Sequence, residues 1–140
     1  MVESLYALLA SIGFSHPLHP MMTHVPMGMI IGMVTFSFIG LIWKNSNLGQ
    51  TAYHCSVLAF LSIIPVIGTG LLDWLHRLEG EWNELIIAKM ILGTVLTILL
   101  AVTLVQKKKG ATSTKLFILY LLCLACAGGL GYSGGELVYG

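Results

Sequence analysis

Charge is what this chain has least of. Asp, Glu, Lys and Arg make up 9% of its 140 residues, against 56% hydrophobic, and the mean hydropathy is +0.89. A soluble domain carries about 25% charged residues, and so few cannot cover the surface of a water-soluble globule of this length. The balance argues against a soluble enzyme, a disordered chain and a nucleic-acid binder. Cysteine is also sparse. Cys55, Cys123 and Cys126 all fall in apolar stretches, so there is no disulfide framework. Cys123 and Cys126 are spaced C-x-x-C but lack the aqueous surroundings of a redox pair, and read as small packing residues. No internal repeat, phosphate loop, activated nucleophile or pair of catalytic carboxylates is present to support a hydrolase. The opening MVESLYALLASIGF lacks a basic stretch and contains Glu3, which argues against a cleaved signal peptide.

What the chain does have is four long apolar blocks, at about residues 21–43, 51–74, 84–106 and 115–134. A bilayer core of about 30 Å takes a helix of roughly 20 residues, and backbone groups in lipid must be satisfied within the segment, which selects helices. The first block has no charged residue, the second ends at Asp73, the third contains Lys89, and the fourth fades into a glycine-rich tail. The links KNSNLGQ, HRLEGEWN and KKKGATST are short enough to force antiparallel neighbours. The expected fold is an all-α membrane protein, a four-transmembrane-helix up-and-down bundle forming one domain over residues 1–140. Ahead of it, Val2, Leu5, Tyr6, Leu9 and Ile12 recur at helical spacing. This piece is too short to span, so it is expected to lie in the interface or to pack on a neighbouring helix.

The charges are few but sorted. Lys44, Lys107, Lys108, Lys109 and Lys115 lie at one end of the bundle without an acidic residue among them. Glu3, Asp73, Glu79, Glu81, Glu84 and Glu136 lie at the other, accompanied by Arg77 and Lys89. The positive-inside rule puts the lysine end in the cytoplasm and both termini outside. In a prokaryotic inner or plasma membrane the opposite end would face the periplasm.

That opposite end carries four of the five histidines: His16, His19, His24 and His76, with His54 at the lysine end. His16, His19 and His24 fall within nine residues, in SHPLHPMMTHVPMGM. A residue before proline is biased to extended backbone, so His16 and His19 should precede the helix, which should begin near residue 21 with Thr23 as N-cap and Pro26 in its first turn. Ionisable residues at the edge of a span are candidates for function, and imidazole there offers metal ligation, proton relay or quinone hydrogen bonding. Two histidines on facing helices suit a haem iron between apolar walls. Without a C-x-x-C-H attachment sequence such a haem would be a non-covalent b-type. The candidate iron ligands are His24 and His76, with His19 and His16 in reserve, and Arg77 is placed to meet propionates. A zinc site would need a third ligand from Asp73, Glu79 or Glu136. Lys89, inside the third block, needs a partner, and Asp73 is the expected one, a haem propionate or a quinone the alternative. Pro65, Gly68 and Gly70 in PVIGTG, and Gly28 with Gly32, mark close helix packing or a slot for a flat ligand.

Three blocks carry a resemblance: LHPMMTHVPMGMIIG (residues 18–32), GTGLLDWL (68–75) and the tail GYSGGELVYG (131–140). In that order they resemble the membrane proteins catalogued as domain of unknown function 2231, whose arrangement is similar to the two-haem cytochrome b superfamily of ferric reductases and hydrogenase cytochrome subunits. Related proteins can carry a Rieske domain on the same membrane unit. The resemblance implies electron transfer, with His19 and His24 matching the family's histidines on the first membrane helix. Two departures stand out. Family members commonly have a histidine early in the third span, where this chain offers AKM with Lys89 nearest, and relatives often carry a further histidine after the VYG at which this tail stops. If the missing histidine is a ligand, either His76 replaces it or the cofactor has been lost. The expected function is a b-type cytochrome-like subunit passing electrons between a periplasmic donor and quinone or a partner subunit. The alternatives are a cofactor-free anchor or scaffold subunit, and a histidine-based metal or proton site. Under all of them the expected partners are membrane lipid and other subunits or further copies of the chain, and not nucleic acid.

Overall fold

The computed structural model describes residues 2–14, 16–77 and 79–139, without the side chains of residues 77 and 137–139. Five helices follow in order: α1 (Val2–Ser11), α2 (Leu18–Ile42), α3 (Ser46–Arg77), α4 (Glu84–Lys108) and α5 (Ser113–Tyr139), with no strand among the described residues. The last four are long and apolar enough to cross a membrane. α2 packs closely on α3 and less extensively on α5. α4 packs on α5 and only loosely on α3, closing the ring α3–α2–α5–α4.

The helix ends follow local chemistry, and several lie outside the expected bounds. α3 begins at Ser46 rather than near 51, because the Asn45 side chain accepts the Asn47 amide (2.9 Å) as an N-cap. Just before it, α2 closes on a left-handed Lys44 (φ 49°), with the Asn45 amide bonded back to the Gly40 carbonyl at 3.0 Å. Gly40 is needed there: a Cβ would stand 3.2 Å from both the Asn45 carbonyl oxygen and Leu48 Cβ. α4 starts where expected, with Asn83 accepting the Ile86 amide at 2.8 Å. α5 does not fade out in its glycine-rich segment but stays helical to Tyr139. Away from water no solvent competes for the backbone bonds of these glycines, and the missing side chains let neighbours approach. Leu92 comes within 3.4 Å of a would-be Cβ at Gly129, and Met27 within 3.6 Å of one at Gly131.

The interior is small: Ile30, Met33, Ala52, Ala59, Leu96, Leu100, Tyr120, Cys123 and Ala127 make most of it. Larger apolar side chains point outward, with Ile64 at 72% and Ile91 at 59% exposure. An apolar belt of this kind is stable only in lipid. Trp43 and Trp82 stand exposed at its two ends, the place where amphipathic rings meet headgroups. α1 does dock on the bundle, through the buried Tyr6, while Leu5, Leu8 and Ile12 stay exposed.

Candidate functional site at the histidine end

α2 begins earlier than the two His-Pro steps suggest. Its first residue is Leu18, preceded by an extended Pro17 that supplies no side-chain cap. Pro20 then falls in the first turn, where a missing N–H leaves no intrahelical bond unmade. Two amides remain to be satisfied, and Asp73 of α3 takes both: Leu18 N–H donates to Oδ1 (3.2 Å) and His19 N–H to Oδ2 (2.7 Å). Thr23 is therefore not the N-cap. Its hydroxyl lies inside the helix and donates to the Pro20 carbonyl at 2.7 Å. Pro26 is likewise an interior, buried residue. The Asp73 carboxylate also accepts a hydrogen bond from the Tyr6 hydroxyl of α1. One buried carboxylate thus joins three helices, with the positive end of the α2 dipole offsetting its charge.

Three histidines lie at this end of the bundle, each with Nδ1 engaged. His19 Nδ1 lies 3.0 Å from the Val66 carbonyl, and the ring fills the space left by Gly70, where a Cβ would stand 3.0 Å from Nδ1. His24 Nδ1 lies 2.7 Å from the Pro20 carbonyl, on an exposed ring. His76 Nδ1 lies 2.8 Å from Glu3 Oε1, and its ring stacks on Tyr6 with centroids 3.9 Å apart and planes at 6°. A carbonyl or carboxylate oxygen only accepts, so in the neutral ring each Nδ1 carries the proton and each Nε2 presents its lone pair.

The rings face different ways. His19 turns into the α2–α3 seam and His76 toward α1. His24, five residues after His19, lies about 140° round the helix from it. His16 is exposed beside Phe14, with ring centroids 6.0 Å apart. His54 sits at the lysine end near Gln50. The side chain of Arg77 lies outside the described residues. Among the described residues no group of three or more His, Cys, Asp and Glu converges as metal ligands.

Lys89 does not pair with Asp73 by contact. The carboxylate is occupied by Tyr6 and the two α2 amides. The link after α3 is tied back to that helix by Trp74, whose Nε1 donates to the Glu81 carbonyl (2.8 Å) and whose ring meets Trp82 edge-on.

Sequence reasoning missed Tyr6 and Glu3 as partners of this end, and missed Asp73 as a cap. The available signal was Pro17 itself: a helix start with no capping side chain of its own needs an acceptor from elsewhere.

No curated protein and no solved structure matches the chain. Residues 15–140 match the family model described as predicted membrane protein, domain of unknown function 2231 (DUF2231). With four membrane-length helices and a match over nearly its whole length, the chain belongs to that family of integral membrane proteins.

Proposed function

We propose that the protein is a b-type cytochrome-like membrane subunit, passing electrons between a donor on the periplasmic face and quinone or a partner subunit. The observation that carries this reading is that Nδ1 of His19, His24 and His76 each lies against a carbonyl or carboxylate oxygen. A histidine that ligates a metal through one ring nitrogen generally donates from the other to a carbonyl or carboxylate, which fixes the ring and raises its basicity. All three rings are held in that way. Imidazole nitrogens prepared in this way are donors of the kind haem iron takes, and haem when bound supplies one-electron redox chemistry. His19 is the ligand turned into the bundle, His24 and His76 are the accessible ones, and Arg77 is the cation nearest in sequence for propionates.

The test is an absorption spectrum of protein expressed with ample haem, oxidised and then dithionite-reduced. We expect sharp b-type Soret and α bands. Two of the three variants His19→Ala, His24→Ala and His76→Ala should lose them, and His54→Ala should keep them. A folded, colourless preparation would overturn the assignment.

A second reading, a cofactor-free anchor or scaffold subunit, is favoured by one specific arrangement. Asp73, Tyr6, His76 and Glu3 already satisfy one another as a clasp that holds α1 to the bundle. The colourless outcome would select it, and a co-purifying subunit or second copy would then be expected.

A further inference from the structure

The end of the bundle opposite the histidines carries Lys44, Lys107, Lys108, Lys109 and Lys115, while all six acidic side chains of the chain lie at the other end. The fold gathers these lysines on a rigid turn. α4 closes on a left-handed Gly110 (φ 75°), whose amide donates to the Lys107 carbonyl (3.1 Å) while the Ala111 amide donates to the Gln106 carbonyl (3.0 Å). Lys115 Nζ then donates to Gln106 Oε1 (3.1 Å), which ties the start of α5 to the end of α4 across the link. Lys44 joins from the side. The Phe38 and Phe117 rings stack with centroids 5.9 Å apart, so α2 ends beside the start of α5, with Lys44 just beyond Phe38 and Lys115 just before Phe117. Lys44, Lys108, Lys109 and Lys115 are exposed, and among the described residues none of the five lysines makes an ion pair. Helix dipoles do not offset the charge, because two helices end here and two begin.

We propose that this lysine end is a docking surface for the headgroups of anionic phospholipids in the leaflet it faces. Charge complementarity selects the occupant: a lysine cluster at the ends of membrane spans attracts anionic lipid. The surface stands level with the exposed Trp43, where headgroups lie, so the phosphates are within reach of side chains long enough to snorkel to them. Ser113 and Thr114, exposed in the same turn, add hydroxyl donors. The surface uses no histidine and stands apart from any iron ligation.

The experiment uses the full chain in an uncharged detergent, as wild type and with Lys107, Lys108, Lys109 and Lys115 all changed to Gln or all to Arg. Thermal unfolding is followed with added phosphatidylglycerol or phosphatidylcholine at low and high salt, and retained lipid is counted by native mass spectrometry. The wild type and the Arg variant should unfold at higher temperature with phosphatidylglycerol than with phosphatidylcholine, and salt should shrink the difference. The Gln variant should lose most of it and retain fewer phosphatidylglycerol molecules. The proposal is overturned if the Gln variant keeps the full difference, or if the wild type does not distinguish the two lipids. An acidic protein that co-purifies through these lysines, without a preference for phosphatidylglycerol, would assign the surface to a protein partner instead. Should the fourfold Gln variant fail to fold, Lys108→Gln with Lys109→Gln, both on exposed side chains, should still lose part of the difference, and its full retention overturns the proposal.

Discussion

The Asp73 carboxylate closes the N-terminus of α2 by accepting the His19 amide at 2.7 Å, across 54 residues of sequence. A cap is usually local, a Ser, Thr, Asp or Asn beside the helix it serves. Here it comes from the far end of the neighbouring span, so the same contact that ends the α2 ladder also fixes the register of α2 against α3.

Removing that cap should be costly. Asp73→Ala is expected to lower stability by about 2 kcal/mol, the upper part of the range for lost N-caps, because two α2 amides lose their acceptor together. Asp73→Asn, which keeps one acceptor oxygen, should lose less. Combining Tyr6→Phe with Asp73→Ala should cost less than the sum of the two single changes. Unfolding in detergent measures all four proteins, and strict additivity would mean that Tyr6 and Asp73 do not act together.

Asp73 and Lys89, by contrast, should behave as nearly independent sites. Among the described residues no hydrogen bond or ion pair joins them, so the losses from Asp73→Asn and Lys89→Met should add to within about 0.5 kcal/mol. A clear recovery in the double variant would restore a direct ion pair between them.

Two glycines two residues apart in α3 should respond in opposite senses. A methyl at Gly70 would press on the His19 ring at 3.0 Å, whereas nothing lies within 4 Å of one at Gly68. Gly70→Ala is expected to destabilise by about 1–3 kcal/mol, as overpacking does, and to displace the imidazole. Gly68→Ala should be neutral or stabilising by up to about 1 kcal/mol, through helix propensity. Equal effects in thermal unfolding would show that His19 does not occupy the Gly70 notch.

Orientation can be read directly. The lysine asymmetry predicts that reporters placed within residues 107–115 report the cytoplasm, and that a reporter after residue 140 reports the outside. A fusion after residue 140 active only in the cytoplasm would reverse the topology and move the histidine end with it.

The sequence made the four spans, their antiparallel order and the separation of histidines from lysines legible, because these depend on composition over many residues. It misplaced the ends where a single contact decides. Asn45 extends α3 backward, and Asp73 pulls α2 back to Leu18, against the extended bias that Pro20 imposes on His19. The helical continuation through Gly128–Gly135 was hidden for a related reason: glycine is a helix breaker in water, and the penalty weakens where no water competes. Asp73 was recognised as needing a partner and assigned the wrong one, since sequence showed a nearby cation but not two orphan amides. Tyr6 was visible only as one apolar position among five in α1, and its hydroxyl gave no indication of a target on α3.

The remote cap has a consequence for how the chain is made. α2 leaves the ribosome before α3, yet its opening turn cannot be completed until Asp73 has been synthesised and brought back to the same side of the bilayer. The first part of the membrane domain to be translated is therefore among the last to be finished. Until then the His-Pro segment is a loose leader ahead of α2, and α1 has no Asp73 to hold Tyr6. Nascent chains halted before Asp73 should leave residues 2–20 open to protease, and chains halted well beyond it should not.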